Sequence, residues 1–431
     1  MRFEKDWGRL GLKYKEVNLG ELVSFVSKGI PPKYIETKSD NTIVVLNQRT
    51  NRNFQIDYSL SRLNDLLKKK VPTNKILIDY DILINSTGVG TAGRVAQLVK
   101  VPELTTVDGH MIIVRPDEEK IDPLYLGYAL KAQQVKIEGL QEGSTGQTEL
   151  NRQRLLNDII IQFPESRKLQ QDISRLFFSL DEKIENNKKI NHHLEKMAQA
   201  IFKSWFIDFE PFGGVKPFDW QEGVFSEIVS STLSGDWGKE NPMGNYQKMV
   251  YCMRGADLPE ITFGNKGKMP VRYILPKNFT NKQLTANNIV IEISGGSPTQ
   301  STGRCALITQ SLLERYECDM VCTNFCRAIK PKEGYSEFIY YYWRYLYEHN
   351  VMFLYENGTT GIKNLDISSF LENEKIIIPT LNSVHKFSNI VQKLRNTIAT
   401  NGLEIEKLTN LRDTLLPKLL SGEISVNQVT K

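Results

Sequence analysis

Three groups of residues in this chain have types and spacings that could do chemistry. "STGVGTAGRV" (86–95) carries G-x-G-x-x-G from Gly88 through Gly90 to Gly93, the spacing of a turn that offers dinucleotide phosphates the N-terminus of a helix. Pro164-Glu165 and Asp181-Glu182-Lys183 supply the carboxylates and the lysine of a metal-dependent nuclease. Cys318, Cys322 and Cys326 in "CDMVCTNFC" are soft ligands at a regular interval. None of the three has the right surroundings. The glycine turn needs a strand before it and a helix after it. Ile82-Leu83-Ile84 supplies the strand, but "RVAQLV" (94–99) has no helical periodicity and reads as a second strand. The run 181–183 falls inside a heptad helix, where charges usually form a solvated face. The cysteine spacing is not that of a zinc knuckle. All five cysteines, with Cys252 and Cys305, lie in the second half of the chain without counterparts in the first, so reduced, buried thiols fit better than a metal site.

The elements around these residues are written twice. Gly93-Arg94 ends a Gly/Ser/Thr loop between two β-like runs, and so does Gly303-Arg304 in "SGGSPTQSTGRCALI" (294–308). "LGELVS" (19–24) resembles "FSEIVS" (225–230). "STGQTELNRQRLLNDIIIQFP" (144–164) resembles "TTGIKNLDISSFLENEKIIIP" (359–379). A unit this long is a duplicated domain rather than a solenoid repeat. Length agrees, since 431 residues exceed one domain, and an apolar share of 40% is that of a globular chain. No apolar run approaches a membrane span, and the start "MRFEKDWGRL" has no signal-peptide core. A cytosolic protein is expected.

Each unit reads as about 150 residues of short strands and loops, with helices such as 123–134 and 337–349, followed by one long helix. In the first, Leu180, Ile184, Asn187, Asn191, Leu194, Ala198, Ile201 and Trp205 alternate steps of four and three. In the second, Leu394, Ile398, Asn401, Ile405, Leu408, Arg412, Leu415 and Leu419 do the same. That is the a/d seam of a coiled coil, with Asn187 and Asn401 at matching polar positions that fix register. The plainer alternative is that each helix packs only on its own domain. Chain order makes a pairing antiparallel. The seam from Leu180 to Trp205 spans roughly 40 Å, near the ~34–36 Å between half-sites of dimeric DNA readers. The expected division is 1–165 and 223–380 for the domains, with 166–222 and 381–431 for the helices and linker.

The loops carry residue types that meet DNA. A net charge of +5 permits nucleic acid without arguing for it. "LNQRTNRNF" (46–54) gathers Gln48, Arg49, Asn51, Arg52 and Asn53; arginine reads guanine, and asparagine or glutamine reads adenine, through paired hydrogen bonds. Gly90 and Arg94 sit on the first glycine hairpin, Arg304 on the second, where backbone N–H groups can meet phosphate. Gln147 and Thr148, then Lys363 and Asn364, precede short helices. Arg254, Lys266 and Lys268 hold comparable places in the second unit. An ordinary solvated loop is the alternative for each alone.

Together "VNLGELVSFVSKG", the "STG…GR" hairpin, "GSTGQTELNRQRLLNDIIIQFP" and "LDEKIENNKKINHHLEKMAQAIFKSWFIDFEPF" resemble the specificity (S) subunit of type I restriction-modification systems, over nearly the whole chain. The resemblance implies an α+β fold of two β-rich target-recognition domains in a pseudo-two-fold arrangement, joined by two long antiparallel coiled-coil helices. Each domain would read half of a split DNA site. The helices would set the spacer and dock two methyltransferase (M) subunits, with restriction/translocase (R) subunits joining for cleavage. Gly402 departs from the pattern and puts the straightness of the second helix in doubt. No Asn/Asp-Pro-Pro-aromatic motif and no G-x-x-x-x-G-K-[ST] occurs, so no catalysis, cofactor or metal is expected in this chain. S-adenosylmethionine, ATP and Mg would belong to partner subunits. The rival readings are a nuclease built on residues 165 and 181–183, and a coiled-coil scaffold that binds no DNA.

Overall fold

The computed structural model describes residues 13–142, 149–297, 299–358 and 362–429. The chain makes the same strand clasp twice. Tyr14–Asn18 pairs antiparallel with Ile160–Pro164, and Gln221–Val224 pairs antiparallel with Lys375–Ile378. The first and last strands of each domain therefore lie side by side.

Between the clasped ends the two domains build one sheet order. In domain 1 it runs Val23–Lys28, Met111–Pro116, Ile82–Asn85, Val95–Gln97; in domain 2, Val229–Ser234, Cys326–Pro331, Ile289–Glu292, Cys305–Leu307. A second sheet in each is built on a parallel pair, Thr42–Leu46 with Thr105–Val107 and Lys248–Met253 with Met320–Cys322. The main sheet is buried on both faces, which is why its inner strands read as unbroken apolar runs. Side chains alternate between two cores, as the two-residue period of a strand requires. Ile82 and Ile84 face one and Leu83 the other; Ile289 and Ile291 face one and Val290 the other. The helices expected at 123–134 and 337–349 form as Pro123–Ala132 and Ser336–Glu348.

Two helices of 40 residues follow the domains, Arg167–Phe206 and Leu381–Leu420. At 1.5 Å per residue each is roughly 60 Å long. The second runs unbroken through Gly402, so the expected weak point is no break. No described helix is long and apolar enough to cross a membrane.

Contacts divide the chain into two compact units. One holds the residues up to 182 together with 410–431, the other 183–409. Each unit thus takes one domain and a piece of both long helices, a different division from the one expected in chain order. In the second unit the two helices run antiparallel. Asn187 donates to Glu404 at 2.7 Å, Asn401 donates to Asn191 at 2.9 Å, and the rings of Phe206 and Phe387 lie 5.1 Å apart. In the first unit Leu416, Leu419 and Leu420 share a core with Ile173 and Phe177.

The expected seam holds at Ile184, Asn187, Asn191, Ala198, Ile398, Ile405 and Leu419, which are buried. It is corrected around Ala198, where Glu195, Phe202 and Phe206 are buried in place of Leu194, Ile201 and Trp205. Leu194, Ile201 and Trp205 are half-buried, and the last two flank the domain 2 core. A straight helix turns every 3.6 residues, so a strict heptad drifts off its face. Leu180, Leu394, Asn401, Leu408 and Leu415 are likewise half-buried; Leu180 and Leu415 pack on the domain 1 core.

Candidate nucleic-acid interface

The glycine loops are strand hairpins. Ile82–Asn85 pairs antiparallel with Val95–Gln97, and no helix follows the glycines. Each hairpin is closed by a reciprocal backbone pair. Asn85 donates to the Arg94 carbonyl at 3.0 Å and Gly93 donates to Asn85 at 2.8 Å; Glu292 and Arg304, then Gly303 and Glu292, repeat this at 2.8 and 2.8 Å. This is the physical content of the repeated Gly-Arg exit. Gly90 has φ +69° and open space around it, a turn conformation that favours glycine.

Beside the first hairpin lies the polar loop 46–54. Asn51 is corrected from an exposed reader to a buried tie. Its amide donates to the Arg94 carbonyl at 2.9 Å and to Asn85 at 3.2 Å, while Asn85 donates to the Gln48 carbonyl at 3.1 Å. An asparagine in a polar run is equally suited to satisfying buried carbonyls, and that use has won here. Gln48 is half-buried against the hairpin, with Thr87 donating to it at 3.5 Å. Arg49, Arg52 and Asn53 are exposed. Arg94 donates to the Gly90 carbonyl at 2.9 Å, within its own loop.

Domain 2 engages most of its candidate cations in ion pairs. Arg304 grips Glu292 through two nitrogens, at 2.6 and 2.7 Å. Arg254 does the same to Asp257 at 3.0 and 3.1 Å and donates to the Lys268 carbonyl. Lys363 pairs with Glu356 at 2.9 Å, and Asn364 accepts from Ser294. Lys266 is corrected from a loop reader to a helix contact, because its amine faces Glu406 at 3.6 Å. Lys268 is exposed. Gln147 and Thr148 lie outside the described residues. Arg152, exposed at the start of a short helix, was not singled out in the sequence although "LNRQR" displays it. Burial pulls the nearby Lys75 amine below its ordinary pKa, and the positive charges of Arg152 and Lys69 pull it further. These three cations form a positive cluster in domain 1.

A different polar arrangement ties each domain to the long helices. In the first unit Asp181 of the first helix meets Lys131 at 3.1 Å, Arg412 of the second helix, and the Tyr128 hydroxyl at 2.9 Å. Burial opposes ionisation of this carboxyl, but Lys131 and Arg412 outweigh it and hold its pKa below the usual range. In the second unit Glu195 of the first helix is 1% exposed and meets Arg344. Tyr340 and Tyr341 donate to it at 3.4 Å, and Arg395 of the second helix lies 5.0 Å over the Tyr340 ring. Both times a carboxylate on the first helix stands among an arginine from the second helix and a cation from the domain. A charge this buried is tolerated only with such partners. Asp181 is thereby engaged away from the nuclease reading, and Lys183 pairs with Glu404. Among the described residues no group of three His, Cys, Asp or Glu side chains comes together that could hold a metal ion. Burial pushes the thiols of Cys252, Cys305 and Cys326 up to about 12.

Comparison with known proteins decides what this twice-written arrangement is. The family model for the type I restriction modification DNA specificity domain matches residues 12–196 and again 217–410. The chain belongs to this family.

The match takes in both domains together with most of each long helix. Similar curated proteins are the type I restriction enzyme MjaIX specificity subunit of Methanocaldococcus jannaschii, 26% identical over 99% of this chain and 97% of that protein. The HindI specificity subunit of Haemophilus influenzae is 23% identical over 95% of this chain and 99% of its own. The fold is similar to the crystal structure of a type I restriction-modification S subunit from M. genitalium, with a TM-score of 0.55 at 18% identity, covering 96% of this chain and 97% of that one.

Proposed function

We propose that this chain is the DNA-recognition subunit of a type I restriction-modification complex and does no catalysis of its own. Each domain reads one half of a split, asymmetric site. The long helices set the spacer and dock two methyltransferase subunits, and restriction/translocase subunits join for cleavage. S-adenosylmethionine, ATP and Mg act on those partners, in the cytoplasm. One observation carries the reading. The same sheet order and hairpin closure occur twice in a chain whose two domains each rest on both long helices. Two copies of one framework with different loop residues suit two different half-sites.

Within that reading the exposed Arg49, Arg52 and Asn53, with the Gly90–Arg94 hairpin and Arg152, are the domain 1 groups placed to meet bases or phosphate. Among the candidate cations of domain 2, Lys268 is the exposed one. Arg254, Arg304 and Lys363 reach DNA only by exchanging a carboxylate for a phosphate. The test is to replace residues 1–165 by the matching domain of a relative and to sequence the methylated motif in cells that also carry the methyltransferase subunit. One half-site should change while the other half stays. If both halves change together, the domains are not independent readers. A wild-type chain that binds no DNA, with no salt dependence to measure, would leave the scaffold reading in its place.

A further inference from the structure

The loop 263–267 of domain 2 does not project from the protein; it lies on the helix pair, tied at successive residues. Gly264 has φ +83°, and a Cβ there would stand 2.4 Å from the Ile398 carbonyl oxygen of the second helix. A Cβ on Gly402, one turn further along, would stand 1.8 Å from the Gly264 carbonyl oxygen. The two backbones touch because neither residue has a side chain. Asn191 of the first helix donates to the Phe263 carbonyl at 2.9 Å and to the Ile398 carbonyl at 3.1 Å, and accepts from Asn401 at 2.9 Å. Arg315 donates to the Gly264 carbonyl at 2.7 Å and to Glu406 at 2.8 Å. Lys266 reaches the same Glu406, and Tyr316 donates to the Lys266 carbonyl. Among the described glycines of domain 1, none meets a long helix in this way.

We propose that this junction, centred on Gly402 and Gly264, fixes the position of domain 2 along the helix pair, and with it the number of base pairs between the two half-sites. The inference rests on the DNA-reading function above. Side-chain packing alone lets a domain settle at more than one level on a helix, since ridges repeat every turn. A backbone contact through a glycine notch does not. A slide of one turn, about 5.4 Å along the axis, sets the Gly264 carbonyl against the side chain of Ile398 or Glu406, which share the face of Gly402. Glycine is the poorest helix former after proline, so a buried glycine in mid-helix needs a reason, and this contact supplies it. Asn191 makes the position depend on both helices at once, because one amide satisfies a carbonyl of the loop and a carbonyl of the second helix. Gly402, Gly264, Asn191 and Arg315 are positioning residues that touch no DNA.

The experiment maps methylated motifs in cells carrying the full chain with its methyltransferase partner. Wild type is compared with Gly402→Ala and Arg315→Ala. Alanine favours the helix more than glycine does, but its methyl cannot coexist with the Gly264 carbonyl. Arg315→Ala loosens the same loop without adding an atom. In both variants the two half-site sequences should persist. Preference for the wild-type spacer over spacers one base pair longer or shorter should fall by about tenfold, the scale of one mismatched contact in a protein–DNA interface. If Gly402→Ala abolishes methylation, Arg315→Ala decides alone. A relaxed spacer supports the proposal, and wild-type spacer discrimination overturns it. A wild-type motif that is not bipartite fails earlier and overturns the function reading instead.

Discussion

Glu292 holds Arg304 in two charge-assisted hydrogen bonds, whereas at the same corner of domain 1 Asn85 holds Asn51 and leaves Arg94 to its own loop. The repeated Gly-Arg therefore has one backbone role and two side-chain roles. Arg304→Ala strands a carboxylate whose side chain is 8% exposed and should cost domain 2 about 3–5 kcal/mol. Arg94→Ala loses one bond to a carbonyl and should cost under about 1.5 kcal/mol. In DNA binding the order reverses. Arg94→Ala should weaken binding and lower the salt slope by about one if it meets phosphate. Denaturant unfolding and salt-dependent binding of both variants check this, and equal stability losses would refute the assignment.

Glu195 is the buried acid of the second unit's charge cluster. Glu195→Ala removes the buried carboxylate that faces Arg395 and leaves Arg344 with Glu348 alone at 3.5 Å, and a loss of about 3–5 kcal/mol is expected. Glu195→Gln keeps one acceptor oxygen, for one of the two tyrosines, and should lose less. Urea unfolding of the full chain measures both. A loss below about 1 kcal/mol for the alanine variant would make the cluster no more than a surface pair.

Lys131 predicts a pH dependence. Burial pushes its amine down to about 8, with Asp181 pulling the other way. In the unfolded chain it titrates near 10.5. Above pH 8 the unfolded chain therefore keeps a proton that the folded chain releases, and the stability owed to this group rises with pH up to the unfolded value. The difference in melting temperature between wild type and Lys131→Met should move in favour of wild type between about pH 8 and 9.5. A difference that stays flat or moves the other way would show that the ion pair with Asp181 keeps the amine charged throughout.

The cysteines predict silence. Four of the five are buried, and thiolate is the reactive form. At neutral pH a thiol reagent should modify only the half-exposed Cys318 of the native protein on the time scale of minutes. Rapid loss of Cys252 or Cys326 would mean that domain 2 opens far more readily than its packing implies.

The repeat, the hairpins and the long helices were legible, because each is written in local signals: apolar runs, glycines before arginines, heptad steps; the clasp of first and last strands, a pairing across a whole domain, was not. The partners of polar side chains were not. A heptad reading takes Leu194 over Glu195, since nothing near residue 195 announces Arg344, 149 positions away. Asn51 and Lys266 have the composition of loop readers, and only the folded chain shows one satisfying carbonyls and the other facing a helix. Gly402 looked like a flaw in the second helix because its reason, Gly264, lies in a different element. Residue type foretold that a group would be polar and engaged, but not by what.

The sign of charge along the long helices has a consequence of its own. The first helix contributes an acid to each cluster, Asp181 and Glu195, and the second contributes an arginine to each, Arg412 and Arg395. The two helices are thus marked as different, though they descend from one repeat. Laid antiparallel against a copy of itself, the first helix would bring Asp181 near Glu195 with no arginine between them, and the second would oppose arginine to arginine. Desolvated like charges of that kind cost several kcal/mol. The charge pattern thus favours pairing of the first helix with the second over pairing with its own copy.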